Sequence, residues 1–276
     1  MAFSAKLFNV VCALILLSVS FFNSKQALSA TNTSQQPLRI AVASNFTPAL
    51  KKLLVEFHQQ TNIHTQIISG ATGALFLQIQ HGAPFDIFIA ADSTRPTQLE
   101  REDLVVDNSR KTYALGQLAL LSMNSTAQLS DLNTIPKYFA IANPDTAPYG
   151  KAAKQTLVHL GLWSQYEPIL IQGINVNQTF AQIRSQAVNS GLVANSQLVL
   201  NELTGVIIPS NYHQPIAQQL VIIKSSPNIN KANQLSDYLL STVVQQKIIN
   251  FGYASFEQGE TADKIEDKIG ITDDKS

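Results

Sequence analysis

The chain has 276 residues, 45% of them hydrophobic, with 19 basic and 19 acidic residues and a formal net charge of zero. That balance leaves no electrostatic footprint for nucleic acid or an anionic membrane surface as a partner. The single cysteine, Cys12, lies in an N-terminal stretch that reads as removable, which excludes disulfides and thiol chemistry from the mature chain. Residues 1–30 have the pattern of a secretory signal: Lys6, then an apolar run over 7–22 broken by Asn9, Ser18 and Ser20, then Ala27-Leu28-Ser29-Ala30 as a small-residue exit. The run is shorter than a spanning helix needs, and no lipoprotein box surrounds Cys12, so the expected product is soluble and untethered. Loss of Lys6 and Lys25 takes the 19 basic residues to 17 against 19 acidic, a net charge near −2. Residues 257–276 are polar and charged, with few apolar anchors, and read as a mobile tail.

Residues 38–43 read as a buried strand that leads directly into a helix with Phe46, Leu50, Leu53, Leu54 and Phe57 on one face. Pro48 is tolerated in the first turn, where its missing N–H would be unpaired anyway. A strand over 64–68, a short helix over 73–81 and a strand over 85–90 complete a βαβαβ unit, the signature of a parallel sheet. A longer β-like segment covers 113–123, and the pattern then restarts. Strands are expected at 138–142, 168–171, 191–194 and 206–208, with helices over 149–160 and 177–190. The last of these would bury Phe180, Ile183 and Ala187. A β-like segment at 220–224 precedes one final helix over 231–250, with Leu235, Tyr238, Leu239, Val243 and Ile249 as its apolar residues.

Two βα series joined by long β-like segments give two α/β lobes, the second inserted into the first. The expected division is a signal over 1–30, the first lobe over 31–115, the inserted lobe over 116–222, a return to the first lobe over 223–256, and a disordered tail over 257–276. Four strand-to-helix junctions stand out: Ala43-Ser44-Asn45, Gly70-Ala71-Thr72-Gly73, Ala147-Pro148-Tyr149-Gly150 and Ile174-Asn175-Val176-Asn177. Ligands of open α/β sheets sit beyond the carboxyl ends of the strands, where these junctions fall. Each helix N-terminus carries unpaired N–H groups and partial positive charge, so several aimed at one point form an anion site without formal positive charge.

The bland readings differ by residue. Ser44, Asn45 and Thr72 are of the types that cap helices. Asp86, at a strand start, and Asp92, ahead of a helix near Thr94, read as structural carboxylates. The five histidines lack metal-ligand spacing, Gly150-Lys151 lacks the rest of a phosphate loop, and Trp163 reads as packing.

The order and spacing of Ala43-Ser44-Asn45-Phe46, residues 69–73, residues 78–88, Ala90-Ala91-Asp92, Asn143-Pro144, residues 147–150 and Asn175-Val176 resemble the molybdate-binding proteins of bacterial ABC importers. These are class II periplasmic binding proteins, and the resemblance runs from about Leu38 to Tyr253. It implies an α/β fold of two lobes, each a mainly parallel sheet flanked by helices, with the ligand in the cleft between them. It implies that Ser44 donates its hydroxyl and that Asn45 donates from the same junction. Thr72 stands where the family usually has serine and keeps the hydroxyl, while Tyr149 and Val176 donate main-chain N–H groups. One branch of the family has a tyrosine where this chain has Ala194, so no contact is carried over to Ala194. The resemblance further implies a periplasmic monomer that is not an enzyme and needs no cofactor. Its ligand would be molybdate or tungstate, and its partners an inner-membrane permease and ATPase.

The chemistry of the junctions agrees with a fully ionised tetrahedral oxyanion, which only accepts hydrogen bonds. Hydrogen phosphate needs a buried acceptor as well, and no Asp or Glu sits at the junctions. Hydrogen bonds to a charged group contribute roughly 1.5–3 kcal/mol each, enough in sum to offset desolvation of a dianion. Two other readings stand beside this one. The same fold would take sulfate, another oxyanion or an organic acid. An exported hydrolase would use Asp86 or Asp92.

Overall fold

The computed structural model describes residues 36–255; the expected signal and tail lie outside the described residues. β1 (Leu38–Ala43) is an almost fully buried apolar run, and α1 (Thr47–Thr61) follows it with Ala49, Leu50, Leu53, Leu54 and Phe57 buried. The helix stops at Asn62, which turns left-handed at φ 57° and returns its N–H to His58. β2 (Thr65–Gly70), α2 (Thr72–Gln80) and β3 (Ile87–Ile89) complete the first βαβαβ unit, and β1 pairs in parallel with both β2 and β3. α3 (Thr94–Arg101) leads to β4 (Lys111–Gly116).

The chain crosses to a second sheet at Gln117. β5 (Leu118–Ser122), β6 (Phe139–Ala142), α4 (Pro148–His159), α5 (Trp163–Tyr166), β7 (Leu170–Gly173), α6 (Val176–Arg184), β8 (Ser190–Ala194), α7 (Asn195–Leu200) and β9 (Val206–Ile207) build it. β10 (Ile216–Ile222) then returns to the first sheet, and α8 (Ile229–Leu240) and α9 (Thr242–Asn250) close the described chain. The strand orders are β2-β1-β3-β10-β4 and β7-β6-β8-β5-β9. In each sheet one strand, β10 or β5, runs antiparallel to its neighbours. The expected two-lobed, mainly parallel α/β fold is what forms.

The first sheet is covered on both faces. Leu38, Ile40 and Val42 pack with α1, α8 and α9 on one side, while Leu75, Phe76, Ile79 and Leu99 of α2 and α3 cover the other. The second lobe gathers around Phe139, Ile141, Leu157, Tyr166 and Leu192, with Trp163 packed at its edge. Ala43, Ala71 and Ala91 of the first lobe join that second core, so the lobes meet at the strand ends.

Several boundaries differ from expectation for local reasons. The 113–123 segment is two strands in two sheets. The expected lobe boundary at 222/223 falls after β10, whereas the return occurs by Ile216, because β10 sits between β3 and β4. α6 ends at Arg184, since Gln186 adopts φ 60°, and Ala187 is exposed rather than on the buried face. The final helix is two helices, broken where Ser241 is extended (ψ 144°) and its hydroxyl bonds Tyr238 O. The break turns the buried face to Val244 and Ile248 and leaves Val243 exposed.

Asp86 braces the fold. It is 2% exposed and accepts from Arg39 N–H (2.6 Å), the Ser226 hydroxyl (2.5 Å) and Asn228 Nδ2 (3.2 Å), tying the start of β1 to the turn after β10. Asp86→Asn turns amide hydrogens toward these donors and is expected to cost about 1–2 kcal/mol of stability. Urea unfolding of the two proteins measures it, and an unchanged midpoint would remove the bracing role.

Candidate anion-binding site

All four junctions lie at the carboxyl ends of β1, β2, β6 and β7, and they face one another across the lobes. Ser44, Asn45, Thr72, Tyr149 and Val176 line a single small cavity, together with Ala43, Gly70, Ala71, Ala91, Ala147 and Pro148. The five polar or main-chain candidates are 1–4% exposed. Small residues around them let main chain, rather than side chain, form much of the wall.

Each junction leaves donors free in its own way. Ser44 is held by its N–H to Gly70 O (2.9 Å), and its hydroxyl has no hydrogen bond among the described residues. The capping reading fails for this junction, because α1 has Phe46 at its N-cap and no side-chain cap bond. Thr72 opens α2 after an uncapped Ala71, and its Oγ1 accepts from Ala91 N–H at 3.0 Å. Accepting that bond fixes the oxygen and leaves the hydroxyl hydrogen to point elsewhere. Tyr149 is the second residue of α4, which begins with Pro148 and has no side-chain cap at Ala147. Gly150 brings this helix start close to β6: a Cβ there would lie 2.3 Å from Ala142 O.

The fourth junction is capped, and the cap selects which donor stays free. Asn175 Oδ1 accepts from Asn177 N–H and Gln178 N–H, both at 3.0 Å. Val176 N–H is left without a partner among the described residues. Gln197 of α7 secures the same turn, donating to Val176 O (3.3 Å) and Asn177 Oδ1 (2.8 Å), while its Oε1 accepts from Ala194 N–H. Ala194 is not in the cavity wall. Gln197 was not legible in the sequence, because 195–200 follows β8 directly and carries no separate helix signal.

Asn45 refines the expectation. Its Nδ2 donates to Gln218 Oε1 (3.0 Å) and Tyr253 Oη (3.3 Å), so the side-chain donors are engaged inside the first lobe. Its main-chain N–H has no partner among the described residues. Below it, burial pushes the phenols of Tyr113, Tyr149 and Tyr253 well above their ordinary value, so they stay neutral.

No carboxylate or basic group lines the cavity. Charges stand beside it, around a neighbouring polar hollow that shares Ala91 and Pro148 and includes Asp92, Arg95 and Lys151. Asp92 accepts from Arg95 N–H (3.0 Å) and Nη1 (2.6 Å), which gives it the helix-start role expected of it. Burial raises its carboxyl above the usual range, and the Arg95 guanidinium opposes that rise. Arg95 Nη2 also reaches Asp145 O (3.0 Å), and Gly73 N–H reaches Thr146 O (2.9 Å), so two bonds join the lobes beside the cavity. Among the described residues no group of three or more His, Cys, Asp or Glu is placed to hold a metal ion.

A two-lobed α/β protein with a small cavity of donors between its lobes has the architecture of a binding protein that closes on a small anion. The chain belongs to the bacterial extracellular solute-binding proteins, whose family model matches residues 38–254. It is 37% identical over 226 residues to a molybdate-binding protein of Azotobacter vinelandii, covering 78% of this chain and 89% of that one. A molybdate-binding protein of Rhodobacter capsulatus is 32% identical over 220 residues, 78% of this chain and 87% of its own. The solved structure of the Azotobacter vinelandii periplasmic molybdate-binding protein superposes with a TM-score of 0.76 at 33% identity, covering 80% of this chain and all of that one. A member of this family captures a solute and does not turn it over.

Proposed function

We propose that the chain captures molybdate, and tungstate with it, in the periplasm and delivers it to the permease and ATPase of an ABC importer. The observation that carries this reading is the convergence of hydroxyl and main-chain donors from four junctions on one cavity with no acceptor carboxylate. Ser44 and Thr72 give hydroxyls, and Asn45, Tyr149 and Val176 give N–H groups. Such a set satisfies a dianion with four acceptor oxygens and leaves a protonated oxyanion's hydrogen unmatched. The likeness to molybdate-binding proteins selects molybdate among oxyanions of this kind. The signal pattern over 1–30 supports export, and the protein acts as a monomer.

Because no carboxylate or basic group lines the cavity, and the buried tyrosines have their pKa raised, no negative charge develops there as pH rises through the ordinary phenol range. Molybdate affinity is therefore expected to be constant from about pH 6.5 to 9.5. Titrations at three pH values check this; a tenfold change across the range would mean that a titrating group contacts the ligand.

Thermal unfolding of stripped protein tests the function itself. Ligand that binds only the folded state raises the midpoint with concentration. Millimolar molybdate is expected to raise it and equal chloride to leave it unchanged. No shift with molybdate would overturn the proposal.

A further inference from the structure

Two adjacent glutamines interrupt the buried, otherwise apolar strand β10, and the register of β10 against β4 slips between them. A bulge of this kind re-aims side chains and is common beside functional sites. Gln219 faces Thr112 and Arg110 at the sheet edge. Gln218 is fully buried and bonds the side chains of two residues of the cavity wall, Asn45 and Tyr149. Its Oε1 accepts from Asn45 Nδ2 (3.0 Å) and Tyr113 Oη (2.9 Å), both in the first lobe. Its Nε2 donates to Tyr149 Oη (3.2 Å) in the second lobe.

Tyr149 thus has two working ends. Its main-chain N–H stands in the cavity wall, and its phenol reaches across the lobe boundary to Gln218. Gly116, at the crossing between sheets, leaves the room for this contact: a Cβ there would lie 2.5 Å from Tyr149 Oη and 2.7 Å from Gln218 Nε2. A buried polar group unpaired in an apolar strand is costly, so Gln218 is at ease only when its partners are in place.

We propose that Gln218 is a positioning residue for anion capture, which links the Asn45 junction of the first lobe to Tyr149 of the second when the lobes are closed. The bond makes closure and the alignment of donors from both lobes one event. It acts through Asn45 and Tyr149 and does not touch the ligand. The inference rests on the oxyanion-capture reading.

The test pairs Gln218→Met, which keeps length and removes both hydrogen-bonding ends, with Tyr149→Phe, which keeps the main-chain N–H and removes only the phenol oxygen. Molybdate affinity is measured by titration and release by chase with excess tungstate. Each single variant is expected to weaken binding about tenfold, mainly through faster release, and the double variant to lose no more than either alone. A solely structural role for Gln218 predicts that Tyr149→Phe binds as wild type or that the two losses multiply, and either result overturns the proposal. Should Gln218→Met not fold, Tyr149→Phe alone decides by the same criterion. Wild-type protein that takes up no oxyanion would overturn the capture reading instead, and this role with it.

Discussion

Replacing Val176 with proline is expected to weaken molybdate binding by about 10- to 100-fold while leaving the fold intact. The substitution deletes one N–H and little else. Val176 is the first residue of α6, a position where proline is favoured because its missing N–H lacks an intrahelical partner. Asn175 before it is already extended, at φ −156° and ψ 172°, as a residue preceding proline must be. The Asn175 side chain continues to accept from Asn177 and Gln178, so the helix start keeps its cap. What is lost is a hydrogen bond to a buried dianion, of roughly 1.5–3 kcal/mol. Val176→Ala keeps the N–H and serves as control, with affinity within about threefold of wild type. Calorimetric titration of both, with unfolding midpoints measured alongside, separates donor loss from packing loss. Wild-type affinity in Val176→Pro would remove that N–H from the site.

Thr72 carries the second large effect. Its Oγ1 accepts from Ala91 N–H, which is buried, and its hydrogen has no acceptor among the described residues. Thr72→Ala removes the ligand donor and orphans the Ala91 N–H in one change. A loss of about 10- to 100-fold in affinity is expected, with some loss of stability in the unliganded protein. Thr72→Ser restores both bonds and is expected to bind within about threefold of wild type. Thr72→Val keeps the shape without the hydroxyl and should bind as poorly as alanine. If serine fails to rescue, or valine binds normally, the hydroxyl is not the contact.

Thr72 and Val176 differ in how plainly the sequence marks them. Ser44, Asn45 and Thr72 are legible as residue types, since small polar groups at strand-to-helix junctions are either caps or ligand donors. Only the fold decides between those roles, and it assigns the actual side-chain cap to Asn175. Tyr149 and Val176 have no such signature, because the working atom is a main-chain N–H that any residue but proline supplies. Only family likeness marks these two positions. Gln218 is not legible in the sequence, because two polar residues in a row break the apolar pattern that marks a strand over 216–222. The α8–α9 break is not legible because Ser241 carries no glycine or proline signal and the helical apolar pattern runs through it. Long, periodic elements with local stop signals were readable; partnerships between distant residues were not.

The central claim is that this cavity holds a fully ionised tetrahedral oxyanion by donors alone. Isothermal titration of stripped mature protein with molybdate, then tungstate, sulfate and phosphate, tests it most directly. The account predicts tight one-to-one binding of molybdate and tungstate, with sulfate and phosphate far weaker. Tight phosphate binding, or no heat with any of the four, would contradict it.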